Sequence, residues 1–220
     1  TLPPGAPFPW LHCVSPNQKH TVRMISGCIT PAIMQEALRR TPNHKAAGPD
    51  GVPGMILKHM PPGFHEALQL LFQAMSKTGI TPPSWLHSHT IFLYKKGDPA
   101  ALDNYRPITL ANALYKLWTI CIVMLANDYV ESRKILSPEQ EGFRTDRSCS
   151  RAITHLGLCI EDAHTHHKDI VLCYLYFKAA FTSTDRTQLV RVLEFLGLPS
   201  DFTRLVSNIY SGATTQFITP

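Results

Sequence analysis

Phe64, Ala67, Leu68, Leu71, Phe72 and Met75 recur at 3, 4, 7, 8 and 11 residues from the first, a spacing that only a helix gathers on one face. The stripe predicts an amphipathic helix ended near Gly79, and with it a core for the stripe to face. Upstream, Thr30-Pro31 is an N-cap followed by Pro at the first helical position, and Ile33, Met34, Ala37 and Leu38 mark the apolar face of a short helix. A long helix is expected from about Ala111 to Arg133, with Leu114, Leu117, Cys121, Met124 and Leu125 facing inward. Another, from about Ser148, carries Ala152, Ile153, Leu156, Cys159, Ile160 and Ala163. Two more follow, roughly 185–196 and 200–211, separated by Gly197 and Pro199. Between the helices stand two strand-like runs. Thr90–Tyr94 leads straight into the turn Lys95-Lys96-Gly97-Asp98-Pro99, and Asp169–Phe177 is the best strand pattern in the sequence. Helices, strand, helices, strand, helices is the order of an α+β fold.

At 220 residues with 44% hydrophobic content, the chain is long enough for one sizeable domain or two small lobes. A formal charge of +5 favours an anionic partner, and nucleic acid is the commonest. The cysteines at 13, 28, 121, 149, 159 and 173 form no C-x-x-C pair, and four sit in apolar stretches, the pattern of buried free thiols in a reducing compartment. An intracellular chain, nuclear or cytoplasmic, is the expectation. The cluster His164, His166, His167 has no cysteine or carboxylate at ligand spacing and reads as a solvated helix end. The longest apolar run, Leu117 to Ala126, is half of what a membrane span needs, so no membrane partner is expected. Residues 1–20 are Pro-rich, without a signal-peptide pattern, and read as a linker or the end of a preceding region.

Four segments carry a family likeness. Lys45-Ala46-Ala47-Gly48-Pro49-Asp50-Gly51-Val52-Pro53 resembles the K-A-P-G-P-D-G-I-P loop of non-LTR (LINE-type) retrotransposon reverse transcriptases. Ile91 to Ile108, with Tyr94-Lys95-Lys96-Gly97-Asp98-Pro99 and Asn104-Tyr105-Arg106-Pro107-Ile108, looks like their I-x-L-I-x-K-K-G-D-P…N-Y-R-P-I-S-L segment. Gln140 to Ser148 is similar to their Q-x-G-F-R-x-G-R-S-T, and Leu175 to Arg186 to their L-D-F-x-K-A-F-D-S-V-D-R. The four appear in family order over about residues 30–215.

The resemblance implies a right-hand polymerase fold: fingers over 30–168, and the start of a palm over 169–220, cut before the catalytic hairpin and thumb. Residues 1–29 form an irregular N-terminal segment. It also implies an RNA template, a DNA primer, deoxynucleoside triphosphates and Mg²⁺. Lys95, Lys96 and Arg106 would grip the incoming nucleotide's phosphates, as cationic heads beside a glycine turn suit phosphate oxygens. The alternative for the two lysines is a solvated turn. Phe181 would lie against the nucleotide's sugar. Arg144 and Arg147 would face the template, since a planar guanidinium makes paired bonds to phosphate, or else would pair with Glu139, Glu141 or Asp146. The loop Gly48-Pro49-Asp50-Gly51 reads as structural, with Asp50 closing an Asx-turn.

The catalytic position departs from the pattern. The family places a metal-binding aspartate where this chain has Tyr176, and a neutral phenol is a poor Mg²⁺ ligand. A second aspartate of the pattern is Thr182, and no Asp-Asp dipeptide occurs in the chain. Asp185 opens the next helix, where an N-cap role suits it. The expectation is a reverse transcriptase domain without catalysis and without bound Mg²⁺. Two alternatives stand beside it: a fragment of an active polymerase, or a nucleic-acid-binding module with no chemistry. An apolar strand at 170–177 left uncovered would favour self-association.

Overall fold

A computed structural model describes residues 28–177 and 179–218. The segment expected to be irregular over 1–29, apart from its last two residues, and Cys13 lie outside the described residues. Two compact units emerge: one drawn from residues up to Ala126 and from Arg186 onward, the other Asn127–Asp185.

The first unit is built on helices α1 (Pro31–Arg40), α2 (Pro62–Thr78) and α3 (Pro83–Leu86). Strands β1 (His87–Tyr94) and β2 (Tyr105–Leu110) follow, then the start of α4 (Ala113–Ser132). Helices α6 (Arg186–Phe195) and α7 (Ser200–Gly212) and strand β3 (Thr214–Ile218) complete it. Thr30 caps α1, its hydroxyl accepting from the Ile33 amide at 3.3 Å, with Pro31 at the first position. Leu68, Phe72 and Met75 of the α2 stripe are buried. Gly79 ends α2 at φ 73°, a left-handed cap that glycine adopts without strain, its amide on the Met75 carbonyl at 2.8 Å. From α7, the Asn208 amide reaches the Gly79 carbonyl at 3.0 Å and Arg204 the Lys77 carbonyl at 3.3 Å, so the two helices are tied at that end.

By length and composition α4 is apolar enough to cross a membrane, with mean hydropathy 1.2. Its face is instead a core face: Leu117, Trp118 and Cys121 are fully buried. The Trp118 indole donates to Ser76 on α2 at 3.2 Å, and Cys121 lies 3.8 Å from the Met34 sulfur on α1.

The sheet has order β2-β1-β3, with β1 antiparallel to β2 and parallel to β3. Three threonines tie the strands crosswise, Thr90 meeting Thr109 at 3.0 Å and Thr215 at 2.7 Å. Phe92 and Phe217 stack at 5.7 Å between centroids. Strand β1 was legible as an apolar run; β2 and β3 were not.

The second unit holds the last turn and a half of α4 and helix α5 (Cys149–Thr165), capped by Ser148. The strand expectation fails here. Asp169–Phe177 forms no strand: its backbone has no ladder partner among the described residues, and Val171, Tyr174, Leu175, Tyr176 and Phe177 stand exposed. A strand exists only through its neighbours' hydrogen bonds, so apolar β-branched composition without a partner yields an unpaired run. Helix α5 forms where it is expected, and of the six apolar residues singled out on it Ala163 alone is buried, with Ile153 69% exposed. The thiols follow suit: Cys121 is buried, while Cys149, Cys159 and Cys173 are exposed.

Candidate nucleic-acid interface

The loop Gly48-Pro49-Asp50-Gly51 sets the sheet against α4. Gly51 takes φ 67°, and its amide closes a turn on the Gly48 carbonyl at 3.0 Å. Asp50 then does three things. One carboxylate oxygen accepts from the Val52 amide at 3.1 Å, the expected Asx-turn. The other accepts from the Ala113 amide at 3.3 Å, placing negative charge at the start of α4. Its own amide donates to Asn112 at 3.2 Å, and the Asn112 side chain bonds the Ser84 carbonyl at 2.8 Å. Gly48 is pressed onto Ala111, where any Cβ would fall 2.4 Å from main-chain atoms.

This anchored base projects the β1–β2 hairpin, whose tip is held by its own side chains. The Lys95 amide donates to the Asn104 carbonyl at 2.8 Å. Tyr94 bonds the Gly97 carbonyl at 2.6 Å and Tyr105 the Pro99 carbonyl at 2.9 Å. Asn104 bonds the Asp98 carbonyl at 2.9 Å, and Gly97 sits at φ 94° so close to Asn104 that a Cβ would meet its amide at 2.7 Å. Lys95, Lys96 and Arg106 are exposed on this framework and enter no ion pair with the described residues. Arg106 pairs with Leu93 across the ladder; the next pair on that sheet face is Ile91 with Ile108. Those isoleucines line an apolar cavity of about 390 Å³ with Ala113, Ile120, Lys45 and Lys116. The cations in the lining of that cavity are Lys45 and Lys116, while Lys95, Lys96 and Arg106 stand farther along the hairpin.

The other singled-out residues belong to the second unit. The Arg144 side chain is 8% exposed and makes a two-pronged bond to Glu131, both N–O distances 2.7 Å. Its third nitrogen donates to the Ser137 carbonyl at 2.6 Å and the Gln140 carbonyl at 3.2 Å. These bonds pull the Glu131 carboxyl below and push the Arg144 guanidinium above their ordinary values. Arg147 donates to the Pro138 carbonyl at 2.8 Å and to Glu141 at 3.0 Å. Burial works against charge on Glu141, but bonds from Arg147 and the Ser148 amide, with Arg151 nearby, hold its carboxyl below the usual range. Both arginines thus engage the loop that carries them, and the Glu131 partner of Arg144 was not foreseen. Its signal was weak, thirteen residues upstream on α4 and outside the loop that carries Arg144.

Phe181 lies edge-on to Phe143 at 6.1 Å, both rings exposed. Tyr176 is 88% exposed on the unpaired run. Helix α6 begins at Arg186, directly after Asp185. A divalent metal does not fit these residues. The position that resembles the family's ligand is a phenol, and among the described residues no three His, Cys, Asp or Glu side chains come together.

No family model matches the chain. Curated proteins do. Over 122 residues, 55% of the chain, it is 32% identical to the probable RNA-directed DNA polymerase from transposon BS of Drosophila melanogaster. This chain is a homologue of non-LTR retrotransposon RNA-directed DNA polymerases. The Pol polyprotein of the type-2 retrotransposable element R2DM of the same fly is 24% identical over 187 residues, 84% of the chain. The polymerase from mobile element jockey, again from Drosophila melanogaster, is 26% identical over 117 residues, 53% of the chain. The aligned stretches span 13% to 17% of these relatives' own lengths.

Proposed function

We propose that this non-LTR reverse transcriptase relative grips a primer–template and the phosphates of a nucleotide through the β1–β2 hairpin but does not polymerise. The observation that carries the reading is the hairpin itself. Lys95, Lys96 and Arg106 enter no ion pair among the described residues and stand on a hairpin whose tip is fixed by Tyr94, Tyr105 and Asn104. In this reading residues 30–168 correspond to the fingers, 169–220 to the start of the palm, and 1–29 to a segment leading into them. The partners are an RNA template and a DNA primer, encountered in the nucleus or cytoplasm. The relatives' polymerase chemistry implies a divalent metal, which in this class of reaction neutralises charge developing on phosphate oxygens. Tyr176 supplies no carboxylate for it, so binding is retained and turnover is not. Arg144 and Arg147 serve the template by holding the loop 137–148 in shape rather than by offering free cations. The exposed apolar run Ile170–Phe177 gives the chain a tendency to self-associate.

The test is fluorescence anisotropy on a labelled RNA–DNA primer–template over a salt series. Binding should weaken steeply as salt rises, and Lys95→Gln with Lys96→Gln should flatten the slope by about 0.7–0.9 for each phosphate that the hairpin no longer neutralises. Unchanged slopes in the double variant would remove the hairpin from the interface.

A further inference from the structure

Helices α6 and α7 enclose a cleft that the hairpin reading does not use. From α6 it is lined by Arg186, Thr187, Val190, Arg191 and Glu194, and from α7 by Ser207, Tyr210 and Ser211. On both helices these positions recur at three and four residues, so each set lies on one face and the faces oppose each other across a cavity of about 390 Å³. Its chemistry is that of an anion site. Two guanidiniums and four hydroxyls converge on it, with Glu194 the one carboxylate in the lining.

Both arginines are oriented. The Arg186 guanidinium lies over the Tyr210 ring, 5.3 Å from its centroid. Arg191 donates to the Gln188 side-chain carbonyl at 3.0 Å, which braces its guanidinium. A stacked or braced guanidinium loses little freedom when it binds, and its planar fork matches two phosphate oxygens at once. Ser and Thr hydroxyls complete such sites because they donate without adding charge.

We propose that the α6–α7 cleft binds one backbone phosphate of a nucleic acid, a second anchoring point separate from the β1–β2 hairpin. The inference deepens the nucleic-acid reading and rests on it. Free phosphate offers the same oxygens, so the test includes both sources.

The variants are Arg186→Gln/Arg191→Gln, the charge-keeping Arg186→Lys/Arg191→Lys, and Lys95→Gln/Lys96→Gln as the hairpin control. Each is compared with the full chain by anisotropy on the primer–template from low to high salt, with circular dichroism to show that the fold is retained. Releasing one backbone phosphate from the cleft should lower the salt slope by about 0.9 and weaken binding about eightfold at 0.1 M salt relative to 1 M. The Gln pair should show this, and the Lys pair should recover the slope. Sodium phosphate matched in ionic strength to chloride should compete only weakly, because a single phosphate brings none of the neighbouring interactions. If the Gln pair keeps the full-chain slope while the hairpin control loses its share, the cleft proposal is overturned and the hairpin reading stands. If the full chain binds no nucleic acid at low salt, both fall. If phosphate displaces the primer–template only when Arg186 and Arg191 are intact, and does so at equal ionic strength in the low millimolar range, the cleft is a free-phosphate site and the nucleic-acid assignment is overturned.

Discussion

Replacing Gly48 by Ala puts the physical account of the Gly-Pro-Asp-Gly loop at risk. A Cβ there would stand 2.4 Å from the carbonyl carbon and oxygen of Ala111 and 2.6 Å from the Asn112 nitrogen, where ordinary contact begins at 3.4 Å. All three are main-chain atoms at the start of α4 and cannot swing aside, so the loop must retreat by about 1 Å. The bonds from the Ala113 amide to Asp50 and from the Asp50 amide to Asn112 are already 3.3 and 3.2 Å, and that retreat breaks them. Overpacking of this kind costs about 1–3 kcal/mol, and loss of a side-chain acceptor at a helix start about 1 kcal/mol more. The neighbouring change Gly51→Ala makes a control, because nothing lies within 4 Å of its Cβ and only the left-handed φ of 67° is strained, at about 1–2 kcal/mol. Urea unfolding should rank Gly48→Ala as the more damaging, at about 2–4 kcal/mol by summing the overpacking and capping terms. Adding Asp50→Ala to Gly48→Ala should cost less than the two singles together, since both break the same bonds. A Gly51→Ala variant as unstable as Gly48→Ala would refute the clash argument.

Other outcomes follow from the same structure. Phe72→Ala removes a fully buried ring that meets Trp85 edge-on at 6.2 Å, and urea unfolding should record a loss of about 3–5 kcal/mol. Bonds from Arg39 and Arg40 pull the Glu36 carboxyl from 4.5 down to about 2; this lowered acid stabilises α1 fully above pH 4.5 and loses its effect as pH falls toward 2. Glu36→Gln should therefore flatten the acid limb of a pH–stability curve over that window, and an unchanged limb would contradict it. Burial pushes the Cys121 thiol up to about 12, so a thiol reagent at pH 8 should label the exposed Cys149, Cys159 and Cys173 and reach Cys121 only after denaturation.

How far the sequence could be read depended on the range of the interactions. Helices α1, α2, α4, α6 and α7 were legible because their stripes, caps and stops are local; Thr30 and Gly79 act within four residues of themselves. The Asx-turn at Asp50 was local in the same sense. Strand β3 was not, because Thr214–Ile218 is extended only by pairing with His87–Ile91, more than a hundred residues away. Strand β2 carries Pro107, which lacks an amide and is tolerated because β2 is an edge. Asp169–Phe177 shows the converse, a strand composition without a partner. At the candidate site, residue types suggested what Lys95, Lys96 and Arg106 offer, but only the fold separates these cations, which form no ion pair among the described residues, from Arg144, bonded to Glu131 on α4 and to its own loop, and Arg147, bonded to its own loop.

The most direct test of the central claim, binding without polymerisation, is primer extension on an RNA template with Mg²⁺ or Mn²⁺, run beside the salt titration of primer–template binding. Salt-dependent binding with no incorporation is the result the account predicts. Incorporation above background by the unaltered chain would contradict it, because Tyr176 would then stand in a working active site with metal ligands the account does not assign.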